Sequence, residues 1–242
     1  MQALHQHIAK DGFRLRGLEV TRVDAFSDVV FGFALTVIVV SQQVPRAYAE
    51  LHNLLLGFPP FFICFVLLIT VWWAHFRFFR RYGLQDPATI LINVTLLFTV
   101  LFYVYPLKFL FTIATTNVAA DVFTSPSQVR ELMIVYGAGF AAIYLCFAAL
   151  YWNAWRQRLH LRLSPLEITL THTYLWDEIG MAGIGLLSCL VAYLLPVQFS
   201  GTAGYIFFTI FLWKSIHGRV CARYIRKAHG NITPEDHFGP SR

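Results

Sequence analysis

Residues 22–40 read Arg22-Val23-Asp24-Ala25-Phe26-Ser27-Asp28-Val29-Val30-Phe31-Gly32-Phe33-Ala34-Leu35-Thr36-Val37-Ile38-Val39-Val40. All the charge lies in the first two turns, and everything after Asp28 is uncharged. At about 100° per residue, Arg22, Phe33, Thr36, Val37 and Val40 share one helix face, while Asp24 and Asp28 share the opposite one. An uncharged stripe and an acidic stripe on one helix each need a partner. The acidic one must find its partners within the subunit.

The rest of the chain supplies a membrane setting. Of 242 residues, 57% are hydrophobic, 17% aromatic with 23 Phe, and only 13% charged, against about 25% charged in a soluble domain. Mean hydropathy is +0.57. Such a chain has too little polar surface for a water-soluble globule, which excludes disorder, a nucleic-acid-binding module and a secreted disulfide miniprotein. Cys64, Cys146, Cys189 and Cys221 are far apart and form no CxxC pair, so neither a disulfide framework nor a metal site is implied. The polar, basic amino terminus lacks the apolar core of a cleavable signal and is expected to stay on the chain.

A bilayer core of about 30 Å asks for roughly twenty apolar residues per helix. Six stretches answer: Asp24 to Val44, Phe58 to Phe79, Ala88 to Thr115, Val129 to Trp155, Tyr174 to Leu195 and Thr202 to Arg223. Lys10, Arg14, Arg16 and Arg22 precede the first; Arg77, Arg80 and Arg81 follow the second; Arg156, Arg158 and Arg162 follow the fourth; Lys214, Arg219, Arg223, Arg226, Lys227 and Arg242 lie in or after the sixth. Sixteen of nineteen basic residues thus fall on one side, leaving Arg46 and Arg130 in the opposite loops and Lys108 near the far end of the third stretch. The positive-inside rule makes both termini cytoplasmic. The reading is an all-α membrane protein with six transmembrane helices: a cytoplasmic tail over 1–23, a single membrane domain over 24–226 and a second cytoplasmic tail over 227–242.

Ionisable groups at membrane depth are costly and mark structure or function. At about 1.5 Å per residue, Asp28, His75 and Asn93 all lie roughly 8 to 10 Å in from the cytoplasmic edge. A carboxylate there could accept from the His75 ring and the Asn93 amide, with Trp72 and Ser27 as further donors. Two roles stand open for this layer: polar glue joining three helices, or a proton-sensing device built on His75 and Asp28. Trp72, Trp73, Tyr103, Tyr105, Trp152, Trp155 and Trp213 fall mostly toward span ends, as an aromatic belt does. Asp177 and Glu178 could sit in the interface or pair with the Arg-rich loop after the fourth stretch.

Arg22-x-x-x-Phe26-Ser27-Asp28 resembles the RxxxFSD signature of the transmembrane protein 175 family of potassium channels, in its short prokaryotic form. The likeness continues through Val44-Pro45, Trp72-x-x-His75, Asn93 and a Pro at the far end of the third stretch, covering about the first 110 residues. The resemblance implies a homotetramer whose first helices line a central potassium pore, with Arg22, Phe26, Ser27, Asp28, Trp72, His75 and Asn93 as signature and inter-helix network. It places the constriction five, nine and twelve positions after the signature Asp, at Phe33, Val37 and Val40, with Thr36 flanking. Those positions fall on the uncharged stripe.

Phe33 is bulkier than the aliphatic residue usual there, Val37 and Val40 are smaller, and Phe76 stands where many members have a second His. A ring of Phe narrows and dewets a pore, and the chain carries no TVGYG-like filter. The expected activity is passive, leak-type potassium conduction in the cell membrane, with no enzyme activity and no cofactor beyond the permeant K+. The expected partners are further copies of the chain and membrane lipids, with no nucleic acid. A proton-coupled transporter using Asp28 and His75 is the alternative, opposed by small size and the lack of evident inverted repeats. A haem or metal redox enzyme would need paired deep His residues, and only His75 is securely deep.

Overall fold

The computed structural model describes residues 8–9, 11–40, 47–48, 52, 55, 58–116 and 123–229. It is all-helical apart from one isolated bridge, Ile8 with Arg14. Six α-helices follow in order: α1 (Arg22–Val40), α2 (Phe58–Tyr82), α3 (Pro87–Thr116), α4 (Pro126–Arg156), α5 (Pro165–Leu194) and α6 (Thr209–His229), with a 3-10 segment (Val197–Phe208) between the last two.

Helix starts are written in local chemistry. Ser125 caps α4 by accepting from Ser127 N, with Pro126 in the first turn. Ser164 and Glu167 form a reciprocal capping box on α5, with Pro165 at its head. Asp86 accepts from Thr89 N (3.2 Å) and Thr89 Oγ1 (2.6 Å) at the start of α3. Thr21 and Asp24 do the same for α1: Asp24 N donates to Thr21 Oγ1 (3.2 Å), while Thr21 N and Oγ1 donate to Asp24 Oδ2 (3.0 and 2.8 Å).

Packing divides the bundle. Among the described residues, α1 touches only α2 and α3 of the other helices, α3 bridges to α4, and α4 lies along α5 in the most extensive contact. That contact is backbone-close: a Cβ on Gly137 would come within 2.7 Å of Gly185 O, and one on Gly185 within 2.8 Å of Gly137 O. Small residues let membrane helices approach in this way. Asn153 of α4 fastens α3, its Nδ2 donating to Thr89 Oγ1 (2.9 Å) and to Asp86 (3.1 and 3.3 Å).

Two elements differ from the sequence reading. The sixth apolar stretch, Thr202 to Arg223, spans two elements, the start of α6 and, ahead of it, the end of a 3-10 segment that runs to Phe208. The helix after it is basic and is held to α5 through Asp177, which accepts from Trp213 Nε1 (3.1 Å) and Lys214 Nζ (2.5 Å). Asp177 therefore pairs across to α6, away from the Arg-rich loop. Among the described residues, four helices are long and apolar enough to cross a bilayer: Phe61–Tyr82, Pro87–Leu110, Pro126–Arg156 and Pro165–Leu194. The 1–23 region, read as a tail, has a packed portion. Phe13 is fully buried, and Arg16 pairs with Glu167 of α5.

Candidate functional site

On α1, Ser27, Phe31 and Ala34 are buried and Val23, Val30 and Leu35 are partly covered, all against α2 and α3. The opposite side is open. Arg22, Ala25, Phe26, Val29, Gly32, Phe33 and Thr36 are exposed at the three-and-four spacing of one helix face. Phe33 is 60% exposed, Val37 lies half-covered at the margin, and a Cβ on Gly32 would meet nothing within 4 Å. Thr36 Oγ1 donates back to Gly32 O (2.7 Å), so its hydroxyl proton is spent within the helix. The Val40 side chain lies outside the described residues.

Behind that face, polar side chains link three helices. Asn93 of α3 donates through Nδ2 to Ser27 Oγ (2.9 Å), and its Oδ1 lies 2.8 Å from His75 Nε2 on α2. An amide oxygen can only accept, so Nε2 carries the proton. Ser27 Oγ passes its own proton to Val23 O (2.8 Å). All three side chains are buried, and the His75 ring meets Phe31 edge-on at 5.5 Å and Phe79 at 4.5 Å. Asp28 is separate. It is exposed in the single chain and accepts from Trp72 Nε1 at 2.7 Å, whereas the sequence reading made it the acceptor for His75 and Asn93. Arg22 and Phe26 lie on the open face, outside the Ser27–Asn93–His75 link.

The family model described as "Endosomal/lysosomal potassium channel TMEM175" matches residues 22–106, the segment that holds the open face and its anchor. A potassium channel of Marivirga tractuosa is 35% identical over 229 residues, spanning 89% of this chain and 93% of that one. The chain belongs to the TMEM175 family. A potassium channel of Chamaesiphon minutus is 29% identical over 144 residues, 56% of this chain and 66% of the relative. Among solved structures, a variant of the potassium channel MtTMEM175, crystallised with a nanobody fusion, superposes with TM-score 0.81 at 32% identity, covering 89% of this chain and 99% of that chain. The TMEM175 homologue from Chamaesiphon minutus shares the fold at TM-score 0.53 and 24% identity over 81% of this chain and 96% of that chain.

The TMEM175 relatives are potassium channels and not enzymes, which favours a channel over a proton-coupled carrier. Within the matched segment, the Asp24 role was missed from sequence although Thr21-x-x-Asp24 spells a helix start. Asn153 and Asp86 were also missed. Asp86-Pro87 marks a helix start, but nothing local announces that Asn153 reaches it. Burial would raise the Asp86 carboxyl, but hydrogen bonds from Thr89, Gln157 and Asn153 override it and hold the group down at about 2.

Proposed function

We propose that the protein is a passive, potassium-permeable channel of leak type, a homotetramer in which the open face of α1 from each copy lines a central pore. Phe33, Val37 and Val40 form its apolar constriction, with Thr36 flanking, and the Ser27–Asn93–His75 link holds each α1 in place. One observation carries this reading. The face of α1 that its own subunit leaves uncovered carries no charge from Val29 to Thr36, with Asp28 at its edge, while the face behind it is tied by a buried hydrogen bond to Asn93 of α3, which in turn holds His75 of α2.

The reading includes six membrane crossings, with α1 and the stretch from Thr202 to Arg223 joining the four longest apolar helices, and both termini in the cytoplasm of a cell-membrane protein. In its support, Arg14 and Arg16 of the amino-terminal segment, Arg80 and Arg81 at the end of α2, and Arg162 after α4 gather at one end of the bundle. A basic end of this kind faces the cytoplasm. Apolar constrictions control passage by excluding water, so ring size at Phe33 governs flux.

The test is potassium flux into proteoliposomes, with sodium as competitor and Phe33→Ala alongside. Expected are potassium flux from the native protein, and higher flux or weaker selectivity from Phe33→Ala. Native currents from Phe33→Ala would remove Phe33 from the pore.

A further inference from the structure

The segment before α1 is clamped to two other parts of the bundle at once. On α5, the Arg16 guanidinium grips Glu167 with both arms, NH1 to Oε1 and NH2 to Oε2, each at 2.8 Å, and Arg14 N adds a third bond to Oε1 (2.9 Å). Arg16 Nε also donates to Leu161 O in the α4–α5 loop (3.1 Å). On α2, Arg16 N and Gly17 N donate to Arg81 O (3.3 Å) and Arg80 O (3.1 Å), and Arg80 NH1 returns bonds to Gly17 O and Leu18 O (3.2 Å each). Further back, Asp11 Oδ2 accepts from Arg81 NH2 (2.6 Å) and Tyr174 OH of α5 (3.0 Å). The approach is tight, since a Cβ on Gly17 would stand 2.2 Å from Phe79 O.

Residues 18–21 alone separate this clamp from Arg22, the first residue of α1. Four residues reach at most about 14 Å fully extended, so a displacement of the clamp is felt at the basic end of α1. Among the described residues, α1 makes no helix contact with α4, α5 or α6. Among the described residues, the strap is therefore the direct mechanical link between α5 and the helix that carries Phe33.

We infer that this strap couples the α4–α5 unit to the pore, and that Arg16 and Glu167 are positioning residues that set how wide the basic end of α1 stands. The inference rests on the reading that α1 lines the pore. Rearrangement of the α4–α5 loop, whatever provokes it, would act on conduction through the Arg16–Glu167 grip. The bidentate geometry suits the part because it fixes orientation as well as distance.

Glu167→Gln tests it cleanly. Glutamine still completes the capping box with Ser164 and keeps the volume, while the charge that holds Arg16 is lost. Arg16→Lys keeps charge and loses the fork, and Arg16→Ala loses both. The readouts are potassium flux per reconstituted channel, the potassium-to-sodium ratio and the thermal midpoint in detergent.

Expected for Glu167→Gln and Arg16→Ala is a flux shift in the same direction of about five- to a hundredfold, the ordinary range for coupled sites. Arg16→Lys should fall between, and the double variant should match either single one. The ion ratio should stay native, because the apolar face is untouched. Native flux from both single variants, whatever their thermal midpoints, would reduce the pair to a structural bridge and overturn the inference, as would additive effects. If Arg16→Ala fails to assemble, Tyr174→Phe, which removes the α5 bond to Asp11 and leaves that from Arg81, must shift flux the same way. Phe33→Ala separates the layers of the argument. If it changes flux while the strap variants do not, the coupling falls and the pore reading stands; if it is silent while the strap variants act, α1 is not the pore and the inference falls with it.

Discussion

Asn93→Ala is the sharpest probe of the anchor behind α1. The amide is buried and serves two partners, donating to Ser27 Oγ at 2.9 Å and accepting from His75 Nε2 at 2.8 Å. Truncation has unequal consequences for them. Ser27 keeps its donation to Val23 O and loses only an incoming bond, but the His75 N–H is left without an acceptor at a site of 1% exposure. An orphaned buried donor costs about 1–3 kcal/mol, whereas an interhelical hydrogen bond in a membrane protein contributes about 0.6 and at most about 1.7 kcal/mol by double-mutant cycle. The orphan effect should therefore exceed the pair's own coupling. Asn93→Ala should cost about 1–3 kcal/mol, while the cycle with His75→Leu should return about 0.6–1.7 kcal/mol. Reversible unfolding of the purified protein in mixed micelles reads both. A cost under about 0.5 kcal/mol, the scale of an inert surface change, with coupling near zero, would refute the view that this link holds α1 in place.

Two further substitutions test the frame around the site. Asp86→Ala should remove the α3 cap and its tie to Asn153, at about 1 kcal/mol near neutral pH. Because the folded carboxyl is held at about 2 against an ordinary 3.8, its contribution is present above about pH 4 and lost as pH falls toward 2. The stability gap between native protein and Asp86→Ala should accordingly close over that window, and a gap that persists at pH 2 would assign the effect elsewhere. Gly185→Ala places a Cβ 2.8 Å from Gly137 O and 2.9 Å from Ala141 N, so it should cost about 1–3 kcal/mol by overpacking; Gly183→Ala, in open space, should be nearly neutral in the same unfolding assay.

What the sequence reveals follows the range of the interaction that writes it. The helical period and the clustering of charge at the start of α1 are legible because they are properties of nineteen adjacent residues. Depth is legible too, since counting residues inward from the nearest charges puts Asp28, His75 and Asn93 in one layer. Azimuth is harder. Ser27 and Asp28 differ by one residue and so by about 100° around the helix, and that difference decides which of them meets Asn93. The Asp11, Arg14 and Arg16 contacts were illegible, since they join residues 70 to 163 positions apart and a basic stretch ahead of a membrane helix reads as a solvated tail. Likewise a hydropathy window over Thr202 to Arg223 cannot see that the stretch divides after Phe208 into a 3-10 segment and a basic helix.

Exposure of Phe33 does not by itself distinguish a pore from a lipid-facing surface, because acyl chains accept a phenyl ring without cost. Asp28 separates the two. It is exposed in the single subunit with one partner, Trp72 Nε1, and it lies six residues beyond Arg22, about 9 Å along the helix. A carboxylate at that depth facing acyl chains is expensive, and Trp72 supplies a single donor against roughly four acceptor positions. The α1 edge that carries Asp28 must therefore meet water or another protein chain. Under the proposed pore reading, a water-filled axis bordered by further copies of α1 would satisfy the carboxylate, the open apolar face and the locked face behind it with one arrangement.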